Sequence, residues 1–148
     1  MKVRLLLMMA AALMLSADAA PEDVKKEIER FQGTWKFVSI ETEGKKLDEK
    51  ALEHPRLIIM ADKFTSKEEN VTYHGTFKVD PSKMPKTIDV TFTDGREKGK
   101  TMLGIYELEG DTYKACFSPG GKKRPTEFAS KPGTDLVLEI LKREKPCP

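Results

Sequence analysis

Few side chains in this chain of 148 residues could carry reaction chemistry: two histidines, His54 and His74, and two cysteines, Cys116 and Cys147. A zinc site needs three or four converging N, S or O ligands, often with spacings such as His-x-His or His-x3-His. The two histidines show neither spacing. His54 precedes Pro55 in a polar loop, and His74 has the strand parity opposite to Phe77, on the solvent side or the rim. A cysteine nucleophile needs an exposed, electropositive setting, whereas Cys116 falls inside a β-rich run. Ser118-Pro119-Gly120-Gly121 reads as a turn rather than the strained strand-to-helix elbow of a hydrolase serine. No Gly-rich segment joins a strand to a helix, the arrangement that cradles phosphates. The residues give no catalytic constellation, no metal site and no cofactor, and the chain reads as not an enzyme.

The basic clusters are equally bland. Lys122-Lys123-Arg124 and the stretch Arg96 to Lys100 could clamp a polyanion, but no aromatics are interleaved with them for stacking on bases. The formal net charge is +2 and falls to +1 without the first nineteen residues, which carry Lys2, Arg4 and Asp18. So small a charge gives no global field for nucleic acid or an anionic membrane. Nucleic-acid binding is not expected, and both clusters read as solvated hairpin loops.

Those nineteen residues read as an export signal. Lys2 and Arg4 precede an unbroken apolar run, Leu5 to Leu15, and Ala17 and Ala19 are spaced as a signal peptidase requires. A helix of that run would span about 16 Å, roughly half a bilayer core, too short for a lasting membrane anchor. A signal peptide over 1–19, a single domain over 20–145 and a tail over 146–148 are expected, in a monomeric protein that is periplasmic or secreted. Export would put Cys116 and Cys147 where a disulfide can persist. Such a bond would tie the tail to the body and contribute ~3 kcal/mol. A buried free Cys116 is the other reading.

The pattern after the leader is one helix and then strands. Val24, Ile28 and Phe31 share a face over Pro21 to Gln32, with charged residues elsewhere, Pro21 at the start and Gly33 at the stop. One narrow stripe hardly sustains a lone helix, so it must lie on something. Strands are expected at Trp35–Ile40, Arg56–Ala61, Phe64–Lys67, Val71–Val79, Ile88–Phe92, Thr101–Leu108, Thr112–Ser118, Pro125–Ala129 and Leu136–Leu141, with one helical turn at most within Lys45 to His54. Hairpin-length links and the lack of helical crossovers exclude a parallel sheet and favour an antiparallel meander. The fold class is all-β, an antiparallel meander barrel of eight or nine strands preceded by one short α-helix.

An ordered series of short motifs narrows this further. Gln32-Gly33-Thr34-Trp35, Asp62-Lys63-Phe64, Gly75-Thr76-Phe77 and Lys86-Thr87-Ile88-Asp89 are followed by Gly99-Lys100-Thr101 and Gly104-Ile105-Tyr106-Glu107-Leu108. Gly110-Asp111-Thr112, Cys116-Phe117, Arg124-Pro125-Thr126-Glu127-Phe128 and Lys131-Pro132-Gly133 complete the set. The chain resembles the exported lipocalin-like domain family of unknown function that is expanded in planctomycete bacteria. The resemblance implies a lipocalin-like barrel and no reaction. By analogy with lipocalins it also implies that a basic residue of the last strand, Arg143 or its neighbour Lys142, covers Trp35 and closes the barrel base.

The interior is then the candidate functional feature. Parity places Trp35, Phe37, Tyr73, Phe77, Val90 and Phe92 inward as candidate ligand contacts, and with them Tyr106, Tyr113, Phe117 and Phe128. Ile88, Gly104, Leu108, Ala115, Leu138 and Ile140 are also expected inside. A barrel of this size either fills with side chains or holds one small ligand, and the tyrosine hydroxyls would be the polar handles of a pocket. The leading expectation is a non-enzymatic barrel that binds a small, partly apolar molecule. Its rival is a module with a filled core that binds an exported protein or polymer through its loops.

Overall fold

The computed structural model describes residues 19–145. The leader expected over 1–19, its last residue apart, and the tail over 146–148 lie outside them. Helix α1 (Pro21–Phe31) comes first, with Pro21 in the first turn, Glu22 and Asp23 at the positive end of its dipole and Arg30 in the last turn. Strands β1 (Gly33–Thr42), β2 (Lys45–Lys46), β3 (Arg56–Met60), β4 (Lys63–Lys67), β5 (Thr72–Asp80), β6 (Lys86–Phe92), β7 (Thr101–Glu109), β8 (Thr112–Ser118) and β9 (Val137–Arg143) follow, with a single 3-10 turn at Glu49–Leu52 before β3.

Every pairing is antiparallel, and β1 pairs with both β3 and β9. Eight strands therefore close a barrel in sequence order, while β2 pairs only with the far end of β1. Closure leaves no edge among the eight, so their backbone donors and acceptors find partners without a covering layer. This is the expected meander barrel with its preceding helix. The helix packs at one end, where Phe31 is fully buried against the rings of Phe77, Tyr106 and Tyr113 at 5.1–5.5 Å. The loops β1–β3, β4–β5, β6–β7 and β8–β9 gather at the opposite end.

Three sequence expectations fail, each for a physical reason. Pro125–Ala129 is not a strand; it belongs to the long β8–β9 loop, which lies against the outside of the barrel. Cys116 and Ile105 are register partners on β8 and β7 and point outward, yet both are buried. The Cys116 thiol donates to Ala129 O at 3.4 Å, the Ser130 hydroxyl donates to Glu41 at 2.8 Å, and Gly133 N–H donates to Glu43 at 2.6 Å. Arg124 is held at Asp89, 2.7 Å away, and donates to Gly104 O at 2.8 Å, so the basic cluster it belongs to is partly structural.

Strand β9 has the opposite parity to that expected. Val137, Glu139 and Leu141 are register partners of the inward Phe117, Ala115 and Tyr113, so they face inward, while Leu138 and Ile140 partner Cys116 and Lys114 and face out. Five of the seven β9 residues are of intermediate exposure and only Leu141 is buried, so hydrophobicity alone marks no face on this strand. The third failure is Glu27, expected off the apolar face of α1 yet buried, because Lys86, Tyr106 and Arg30 all donate to it there.

Candidate functional site

The barrel interior is not filled. A cavity of about 610 Å³ opens at the loop end, within the range of small-molecule sites. Its wall takes Phe37 and Ile40 from β1, Leu57 and Ile59 from β3, Phe64 and Ser66 from β4, Tyr73 and Phe77 from β5, and Ile88, Val90 and Phe92 from β6. Met102, Tyr113, Phe117 and Glu139 complete it from β7, β8 and β9. Lys50, His54, Glu68, Glu69, Glu97 and Lys100 stand on the loops around the mouth.

Backbone features shape this wall. A bulge on β1 places Phe37 opposite Leu141 and Ser39 opposite Ile140, leaving Val38 without a register partner. The inward parity therefore shifts from Trp35 and Phe37 to Ile40, and Val38 turns outward. Gly75 and Gly104 lie under aromatic rings. A Cβ at Gly75 would come within 2.4 Å of the Phe64 ring and 2.2 Å of Thr91 O, and one at Gly104 within 2.5 Å of the Phe117 ring. Both rings reach over the barrel wall only because these positions carry no side chain.

Of the ten residues expected to touch a ligand, Phe37, Tyr73, Phe77, Val90, Phe92, Tyr113 and Phe117 line the cavity. Three do not. Trp35 is fully buried at the closed end, its indole N–H donating to Phe31 O at 2.8 Å. Tyr106 is buried there too, its hydroxyl donating to Glu27 at 3.0 Å. Phe128 sits on the outer loop with the Lys114 ammonium 4.6 Å from its ring centroid.

The closed end is sealed by polar contacts as well as rings. Arg143 lies 4.3 Å from the Trp35 ring centroid, donates from Nη2 to Arg30 O at 2.6 Å and from Nη1 to Gln32 O, and pairs with Asp111 at 2.9 Å. The basic residue that covers Trp35 is thus Arg143 rather than Lys142, because Leu141 and Arg143 share the inward parity of β9. Glu27 accepts from Lys86 and Tyr106 through one oxygen and from Arg30 through the other, each at 3.0 Å. Burial alone would raise its pKa, but the hydrogen bonds from Lys86, Tyr106 and Arg30 outweigh that and hold it below the ordinary carboxylate value.

Inside the cavity the electrostatics are different. Glu139 has no ion-pair or hydrogen-bond partner among the described residues, and burial, with the like charge of Glu68, pushes its pKa up to about 7. It lines the cavity and is of intermediate exposure. Tyr113, one inward position nearer the closed end, is raised well above the usual phenol value by burial and by Glu139. Sequence reasoning missed Glu139. The signal available was the cross-strand register with Ala115, which requires knowing how β9 pairs.

The other groups with chemical potential lie elsewhere. His74 is on the outer face with Nδ1 2.8 Å from Asp94, and His54 is exposed at the mouth. Burial raises the pKa of the Cys116 thiol, which forms no disulfide among the described residues; Cys147, its expected partner, lies outside them. Among the described residues no three His, Cys, Asp or Glu side chains are grouped to hold a metal ion, and no helix is long and apolar enough to cross a membrane. Compared with protein-family models, curated proteins and solved structures, the chain matches none.

Proposed function

We propose that this chain is an exported, lipocalin-like barrel whose job is to bind a small, partly apolar molecule, without catalysing a reaction on it. The observation that carries the reading is the cavity of about 610 Å³, open at one end, whose strand-borne wall is aromatic and aliphatic with Glu139 as its one carboxyl, the other three lining glutamates standing on the mouth loops. A site with a large apolar wall and few polar groups fits a ligand that is mostly apolar with one polar end. The rival reading, a loop-based interaction module, rested on a filled core and draws no support from an interior of this size. The kinship with the exported lipocalin-like proteins that the motifs resemble belongs to the same proposal.

A neutral fluorescent probe, N-phenyl-1-naphthylamine, tests it. Saturable one-to-one uptake is expected, weakened about tenfold or more in Val90→Trp, which fills the cavity wall while circular dichroism stays that of the native barrel. Uptake that never saturates, or that Val90→Trp leaves unchanged, would overturn the reading.

A further inference from the structure

Among the described residues, Glu139 is the sole charged side chain that the strands themselves, rather than the mouth loops, present to the cavity. Its neighbours in register are Ile40 on β1 and Ala115 on β8, neither of which can pair with it. The remaining ionisable groups on the cavity lining are Tyr73 and Tyr113 on the wall, and Lys50, His54, Glu68, Glu69, Glu97 and Lys100 around the mouth. Of the mouth lysines, Lys100 is engaged with Glu97 at 2.8 Å. Among the described residues no cation pairs with Glu139, and the charge acting on it is the like charge of Glu68.

A carboxylate enclosed in a largely apolar cavity without a partner is costly to ionise, and an opposite charge arriving in the same space offsets part of that cost. The rings of Phe37, Phe77, Tyr113 and Phe117 line the same cavity and can offer their negative faces to a cation. An anionic ligand would meet Glu139 and Glu68 together. Resting on the small-molecule reading above, we propose that the cavity selects a ligand bearing one protonated amine on an apolar or aromatic body, with Glu139 as its counter-ion.

Three probes with one body and different heads separate the alternatives: 1-naphthylmethylamine, 1-naphthylmethanol and 1-naphthylacetate, titrated calorimetrically into the whole protein and its Glu139→Gln variant at pH 7.5. The amine is expected to bind wild type about tenfold or more tighter than the alcohol. Glu139→Gln is expected to erase that preference and leave the affinity for the alcohol within about twofold. At pH 6, two buffers of different ionisation enthalpy are expected to reveal proton release as the amine binds wild type and Glu139 ionises, and none with Glu139→Gln.

If the alcohol or the carboxylate binds as tightly as the amine, or if Glu139→Gln keeps the preference, the counter-ion role is wrong while the pocket reading stands. If none of the three probes binds wild type, both readings fall together.

Discussion

Two glutamates in this barrel meet opposite fates at the scale of single residues. Glu27 is buried with three donors and keeps its charge; Glu139 is enclosed with none and gives it up near neutrality. The difference has a measurable sign. The pKa of Glu139 rises from an ordinary 4.5 to about 7 on folding, so the native state binds its proton more tightly than the unfolded chain. Its contribution to stability is fully present below the unfolded value and is lost as pH climbs through the folded one. By linkage the loss between those limits is about 3 kcal/mol. Glu139→Gln, which cannot ionise, is therefore expected to raise the melting temperature by several degrees at pH 8 and to change it little at pH 4. Equal melting curves for the two proteins at pH 8 would show that Glu139 ionises in the native barrel without cost. Glu27 runs the other way: its lowered pKa adds stability above the ordinary carboxylate range, which is lost as pH falls through the folded value.

Arg143 acts at the scale of elements, because it joins the last strand to the helix and the first strand. Its guanidinium stacks on Trp35 of β1, satisfies two carbonyls at the C-terminal end of α1 and pairs with the β7–β8 turn through Asp111. Losing it would leave those helix-end carbonyls without their donor and uncover Trp35. Arg143→Ala is expected to cost about 2–3 kcal/mol in urea unfolding. Arg143→Lys should recover less than half of that, since an ammonium cannot stack flat and donate through a planar fork at once. Binding of a neutral probe should hardly change in either variant, because the cavity opens at the other end. This contact was legible only through the resemblance, which pairs the Trp of Gly33-Thr34-Trp35 with a basic residue of the last strand. Its strand parity was not. Leu138, Ile140 and Leu141 are all apolar, so alternation around Glu139 can be read in either phase, and only the register with β8 decides between them. The segment Pro125–Ala129 misled for a related reason: its burial comes from packing outside the barrel, which resembles strand burial when only sequence is in view.

For the molecule as a whole, the barrel has one sealed end and one open end, and this polarity decides how any ligand enters. The strands and their meander order could be read from period-two alternation and short turns. The open interior could not, because whether aromatic rings meet across a barrel depends on closure, on the β1 bulge and on the space above Gly75 and Gly104. Entry must pass the mouth, whose loops carry Lys50 and Lys100 together with Glu68, Glu69 and Glu97, a nearly balanced set of charges. Such a set gives little steering, and the small net charge of the chain adds little more. Reversing the two lysines, as Lys50→Glu with Lys100→Glu, turns the mouth strongly acidic and leaves the strand walls untouched. For a cationic naphthyl probe, stopped-flow association at low ionic strength is expected to quicken about three- to tenfold, and the gain should fade by 0.15 M salt, where the Debye length is about 8 Å. The neutral alcohol should associate at the wild-type rate at every salt concentration. Dissociation rates should stay close to wild type for both probes, since the groups that hold the ligand lie deeper in the barrel. An acceleration shared by the neutral probe would mean that the substitutions had opened the mouth sterically, and entry would then be governed by loop packing rather than charge.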